Sequence, residues 1–376
     1  AAGLSEAGAA AVLAAAMCWD EANEGLARAH GRPALAVAPL CIAALAAGRV
    51  SLREARAAFA LGYEIAARAG EIWRIRQGMH VDGSWHSLGA AAAAARLAGG
   101  DAAEVARAIR LTSCQIPFAL YAPIAAGMDG RNSYPSHAVL LGAMAAAAAR
   151  AGMDAPAEGL AEARRIALLH EAPAQRAPAG EWLIAEAYIK PFAGVRHAHY
   201  AAAAALELRA AIADRLDAIT AIRLETYGEA LRYATNRAPT RAIQAQFSLS
   251  WAVAAALMQG DLGPGAYTDA ALSNPALRRL EALVELTEDA ALTRAEKRGA
   301  RLIVTLADGE SHAAAVGAIA GDPGLALDSA AVAAKCQRFA APVIGDAAMA
   351  RLTELMLGSG EGVPREFFGA STDAPL

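Results

Sequence analysis

Alanine fills more than a quarter of this 376-residue sequence, while aromatic side chains make up only 5%. Alanine is the strongest intrinsic helix former, and its small side chain lets helices approach closely. A mainly α fold is therefore the expectation, in a chain long enough to bury a large core and to hold two domains. Ser51 with Glu54 ahead of Ala55–Ala69, and Asp101 with Glu104 ahead of Val105–Cys114, have the spacing of capping boxes. Helical character also runs through Ala34–Ala47, Ser87–Leu97, His137–Ala151 and Pro156–Leu169, the last with its proline at the first helical position. Two charge-free runs, Pro33–Gly48 and Leu111–Met128, read as core helices. The first is too short to cross a bilayer, and Gln115, Pro117 and Pro123 interrupt the second.

The stretch 172–180 (APAQRAPAG) looks like a linker. Beyond it the pattern changes. Trp182–Ile189 ends at Lys190-Pro191, which stops any regular element there. Arg196–Asp214 is helical. Ala218–Thr226 and Arg301–Leu306 carry β-branched residues in period-two alternation, and Asp308-Gly309 supplies a hairpin turn into Ser311–Val316. Ala330–Leu357 returns to amphipathic helix. The predicted layout is an all-helical domain with an inserted smaller α+β lid domain: residues 1–180, then the lid at 181–328, then a helical return at 329–376. A cleft between two such bodies is a favoured place for a small-molecule site.

The formal net charge is −4, and no basic stretch interleaved with aromatics occurs, so nucleic acid is not an expected partner, nor is a membrane. The four cysteines, Cys18, Cys41, Cys114 and Cys336, form no CxxC pair, which suits a reduced compartment. No charged n-region leads into a compact apolar stretch at the start, so a cytoplasmic protein without a signal peptide is expected. GxGxxG, GxxxxGK[ST] and GxSxG elements are absent from the sequence, and no cofactor is expected. A metal is not expected either. His80 and His86 stand six apart without a third ligand in register, and His197 and His199 have no acidic or thiol residue close by.

Residues Gly78–Gly89 (GMHVDGSWHSLG) set His80 and His86 in a glycine-punctuated loop that runs straight into Ala90–Ala95. An imidazole at such a junction lies near a helix N-terminus, where backbone N–H groups favour anions. Histidine is also the side chain best suited to acid–base work near neutral pH. The bland alternative is a packed histidine at an ordinary helix entry.

Further segments accompany this loop in a fixed order. They are Cys18–Gly25 (CWDEANEG), Arg32–Pro39 (RPALAVAP), Ser84–Gly89 (SWHSLG), Tyr134–Ala138 (YPSHA), Lys190–His199 (KPFAGVRHAH) and Pro239–Trp251 (PTRAIQAQFSLSW), followed by VTLADG and Lys335–Phe339 (KCQRF). As an ordered set they resemble the MmgE/PrpD family, whose members remove a proton next to a carboxylate and then lose water or CO₂, or reprotonate. The resemblance implies a helical domain with an inserted α+β lid, a homodimer, and further helices ahead of the point where this sequence begins. It also exposes departures. Dehydrating and decarboxylating members usually carry Asp-aromatic-Asp-Asp-Thr-His, where this sequence has Cys18, Trp19, Asp20, Glu21, Ala22 and Asn23. A following His-Pro pair appears as Arg32-Pro33, with His30 two residues earlier, and Arg131 aligns with a family lysine.

From the resemblance, His86 is the expected base or acid, with Asp20 and Tyr134 as further catalytic candidates. Asp20 and Glu21 are adjacent at a helix end and do not face one direction; Asp20 falls at a family acidic position and is preferred. Arg131 and Lys190 are expected to clamp carboxylates, assisted by Arg196, His30, Arg32 and His199. The expected activity is that of a cofactor-independent lyase acting on a small di- or tricarboxylate. Because a dehydratase-type Asp and Thr are replaced, an epimerase or isomerase using the same proton abstraction is the alternative, and a catalytically inactive binding protein is another.

Overall fold

Small side chains set the crossing of the helices that carry the site. The helix Leu52–Ile72 crosses His86–Leu97 where Gly62 meets Gly89, and a Cβ on Gly89 would stand 2.3 Å from the Gly62 carbonyl oxygen. Around this crossing, in a computed structural model that describes residues 3–169 and 176–358, the helices Glu6–Cys18, Ala34–Ala46 and Tyr134–Arg150 close an alanine-rich core. Seventeen α-helices occur among the described residues, so the chain is mainly α as its composition predicts. None of them is long and apolar enough to cross a membrane.

Local signals hold well at helix starts. Ser51 and Glu54 form a complete capping box, and the Asp101 side chain accepts from the Glu104 N–H. Other boundaries need correction. Leu111–Met128 is not one helix: the helix Ala102–Ser113 stops ahead of Pro117, and only Ala122–Ala125 is helical after it, with Pro123 in its first turn. The helix expected from Pro156 begins at Gly159, and the expected C-terminal helix is two, Ser329–Ile344 and Asp346–Leu357, parted at Gly345 with φ +86°. The first part of the expected linker at 172–180 lies outside the described residues.

Strands are not confined to the region beyond residue 180. Two-residue strands β1 (Glu24–Gly25), β2 (Met79–His80) and β3 (Ala119–Leu120) lie before it, and β4 (Tyr188–Ile189) after it. β1 pairs with β4 and β2 with β3, both antiparallel. Pairs this short carry no period-two signal, so the sequence pattern passes over them. The larger sheet has four strands in the order β6-β5-β7-β8, where β5 is Ile219–Thr226, β6 Val284–Glu288, β7 Ala300–Leu306 and β8 Ser311–Val316. β7 and β8 form the hairpin expected around Asp308-Gly309. β6 pairs parallel to β5 and escapes sequence reading, because it is an edge strand with only Val284 buried. The helices Ala198–Ile212 and Leu249–Gln259 cover this sheet, in an apolar core whose buried members all fall between Ala193 and Ile319. The buried residues of the Gly62–Gly89 core and its neighbours stop at Leu183. The β1–β4 pair clips the two regions together beside Glu21 and Lys190.

Candidate active site

After Cys18 ends its helix, the chain reverses and places Glu21 at φ +53°. A left-handed residue other than glycine costs on the order of 1–3 kcal/mol and persists where its surroundings over-determine it. Here the side chain does so. Its Oε1 accepts from Arg32 Nη1 at 2.7 Å and pairs with Arg131, and its Oε2 accepts from Lys190 Nζ at 2.8 Å. Burial pushes the Glu21 carboxyl up, but Arg131, Arg32 and Lys190 together outweigh that and hold it well below the ordinary range. Lys190 Nζ also donates to the Glu21 carbonyl at 2.8 Å and to that of Gly194 at 3.3 Å. All three of its protons are thus used, even though burial lowers its pKa to about 8.

Asp82 is the second anchor of these cations. It lies in the glycine-punctuated loop, where Gly83 at φ +83° packs so tightly that a Cβ would stand 2.6 Å from the Tyr134 carbonyl oxygen. Asp82 Oδ2 pairs with Arg32 and lies 3.4 Å from Arg131 Nη1. The Cys18 thiol completes the cluster, receiving Arg131 Nη1 at 2.9 Å and Arg32 Nη2 at 3.4 Å. Burial raises the thiol pKa despite those guanidiniums, so sulfur adds no charge. Three cations and two carboxylates therefore sit in one buried cluster.

The two histidines of the loop play different parts. His86 is fully buried, stacks on Trp85 with ring centroids 3.8 Å apart, and has no hydrogen-bond partner on either nitrogen. Its Nε2 stands 3.9 Å from Asp82 Oδ1. His80 instead lies at the wall of a cavity, stacked on Tyr121 at 6.1 Å, and its Nδ1 accepts the Asp82 backbone N–H at 3.0 Å. Neutral His80 must then carry its proton on Nε2. Burial lowers both imidazoles to about 4, and lowers His197 to about 3.

These shifts give a pH dependence of stability. An imidazole with a depressed folded pKa binds fewer protons than the unfolded chain up to about 6.5, so stability falls as pH drops through that window. Each contributes on the order of 1.4 kcal/mol per pH unit there. Glu24, raised by burial to about 7, acts in the opposite sense between pH 4.5 and 7, and Asp20, whose carboxyl burial also raises, acts with it, but His80, His86 and His197 outnumber them. The urea midpoint is expected to fall steeply from pH 7 to pH 4.5. A flat or rising midpoint would mean that the imidazoles stay hydrated in the folded chain.

The cavity, about 360 Å³ in volume, opens between the first-half segments that carry Glu21, Arg32, Trp73, His80, Asp82, Tyr121 and Arg131 and the later ones that carry Lys190, Arg196, His197, Tyr233 and Arg298. Of the residues expected from sequence, His30, Arg32, Arg131, Lys190 and Arg196 line it. His86, Asp20, Tyr134 and His199 do not. His86 packs behind Asp82. Asp20 is exposed, and its neighbour Glu21 turns inward instead. The Tyr134 hydroxyl is held by the Leu120 carbonyl at 2.9 Å, and buried His199 is fixed to the Gly194 carbonyl at 3.1 Å. Sequence reasoning missed Glu21, His80, Asp82, His197 and Arg298. His80 stands in the same loop as His86 and was legible as a candidate, whereas Asp82 and Arg298 carry no local signal.

The lining holds six cations (Arg32, Arg74, Arg131, Lys190, Arg196, Arg298) against three carboxylates (Glu21, Asp82, Glu229) in a chain of net charge −4. Such a surplus around one cavity attracts anions. Among the described residues, no group of three histidine, cysteine, aspartate or glutamate side chains converges as a metal site. A comparison with curated proteins finds no match. Residues 192–358, which include the four-stranded sheet, Arg196 and Arg298, match the family model of the MmgE/PrpD C-terminal domain, which supports membership of the MmgE/PrpD family.

Proposed function

We propose that the chain is a cofactor-independent lyase that removes a proton next to a carboxylate of a small polycarboxylic acid, in the cavity between its helical body and the region bearing the four-stranded sheet. The family suggests a dehydratase-like or related activity, and its members are typically enzymes. The carrying observation is the surplus of cations around a cavity whose wall holds neutral imidazoles. Arg196 is buried, and although its Nη2 is paired with Asp322, its Nε and Nη1 have no partner and are left for a carboxylate. His80 presents an Nε2–H donor to the oxygen that gains charge as the C–H bond breaks. His197 is the second neutral imidazole in the lining. Its Nδ1 lies 2.7 Å from the Tyr227 hydroxyl, and in the tautomer whose Nδ1–H donates to that oxygen, Nε2 holds the lone pair that accepts the carbon-bound proton. Returning the proton instead of expelling a leaving group would make the same site an isomerase.

The test is proton–deuterium exchange in heavy water across a panel of di- and tricarboxylic acids, followed by NMR. At least one acid is expected to exchange next to a carboxylate, and His197→Gln is expected to abolish that exchange. A folded protein that exchanges no acid in the panel would leave only the binding-protein reading.

A further inference from the structure

Of the chain's five tryptophans, eight tyrosines and seven phenylalanines, five line this one cavity: Trp73, Tyr121, Tyr188, Tyr233 and Phe247. Two of these rings are closely engaged by cations, since the Arg196 guanidinium lies 4.6 Å over Tyr188 and that of Arg131 5.4 Å over Phe247. Tyr233 carries the Arg232 guanidinium at 6.0 Å, the longest of these contacts, while Trp73 and Tyr121 have no such partner. Tyr121 and Tyr233 meet edge-on at 5.6 Å, and His197 stacks on Tyr233 at 6.0 Å, so the rings form a continuous arc from the first-half segments to the later ones. Trp73 is almost fully buried, and its indole N–H is unpartnered.

A bare polycarboxylate has no use for this arc. The face of an aromatic ring carries partial negative charge, so it repels an anion and favours apolar groups and the edges of other rings. In a sequence so poor in aromatics, such a concentration calls for a ligand that has apolar surface of its own. We infer that the acid handled by this site carries a planar apolar arm, an aryl or conjugated side group, seated against Tyr121 and Tyr233. The inference rests on the carboxylate reading above and narrows its substrate class. The cavity volume of about 360 Å³ lies within the ordinary range for small-molecule pockets, with space beside the acid groups for such an arm.

Calorimetric titration with succinate, 2-phenylsuccinate and uncharged 2-phenylethanol tests it, on the unaltered chain and on Tyr233→Ala and Tyr233→Leu. Tyr233 is 37% exposed, so both variants are expected to fold, and a melting transition checks this. Phenylsuccinate is expected to bind about tenfold or more tightly than succinate. That ratio is expected to shrink in Tyr233→Ala, and to shrink less in Tyr233→Leu, which keeps apolar contact without a ring. Succinate binding as tightly as phenylsuccinate, or a ratio unmoved by either variant, overturns the apolar arm and leaves the carboxylate reading in place. Phenylethanol binding as tightly as phenylsuccinate overturns the carboxylate reading and, with it, the acid named here. A folded chain that binds none of the three overturns both.

Discussion

Glu21→Gln is expected to lower the stability of the folded chain by about 3–5 kcal/mol, the usual cost of removing one partner from a buried ion pair. The substitution keeps the shape of the side chain and deletes only its charge. It leaves Arg32, Arg131 and Lys190 facing Asp82 as the one carboxylate of their cluster, and it removes the three pairs that offset the left-handed backbone at residue 21. Lys190 has the least to hold it, because its other two contacts are neutral carbonyls. Its pKa, already lowered to about 8, is expected to drop further, so that the variant sheds the Lys190 proton near neutral pH. Urea unfolding at pH 7 measures the loss. Asp20→Asn is the matched control at an exposed neighbour and should stay within about 0.5 kcal/mol of the unaltered chain. A loss below 1 kcal/mol for Glu21→Gln would mean that water, rather than Glu21, carries the three cations.

The contrast between those two neighbours marks the limit of what the sequence makes legible. Signals that are settled within four residues read correctly, as at the Ser51–Glu54 capping box and the Asp308-Gly309 turn. The order of motifs points to the family whose C-terminal domain model matches residues 192–358. Which of Asp20 and Glu21 turns inward, however, depends on a φ of +53° at Glu21, and that follows from cations more than ten and more than a hundred residues away. The same holds for Lys190. As a sequence feature it is a free cation before a proline, but in the fold each of its protons is taken by a backbone or side-chain oxygen. Asp82 was invisible for the opposite reason: a lone aspartate in a glycine-rich loop reads as turn chemistry. Burial against two arginines, which turns it into an anchor, is a tertiary event.

The two loop histidines give the sharpest functional split. His80→Gln is expected to lower turnover by ~10²–10⁴-fold, the usual range for a positioned acid or base, or about 3–5 kcal/mol of barrier. It is expected to change the melting temperature little, because His80 stands at the cavity wall and keeps some exposure. His86→Gln should show the reverse. Its ring is fully buried, is stacked on Trp85 and does not line the cavity, so substitution disturbs packing and leaves the reacting atoms alone. A large stability loss with turnover within a few-fold is the expected result. The motif that drew attention to His86 would then be correct about the loop and wrong about the side chain. A helix entry needs one residue packed inward to fix the turn, while the loop before it has the freedom to present its imidazole to a ligand. Measured on whichever acid exchanges deuterium, turnover lost in His86→Gln but retained in His80→Gln would reverse this assignment and return the chemistry to the helix N-terminus.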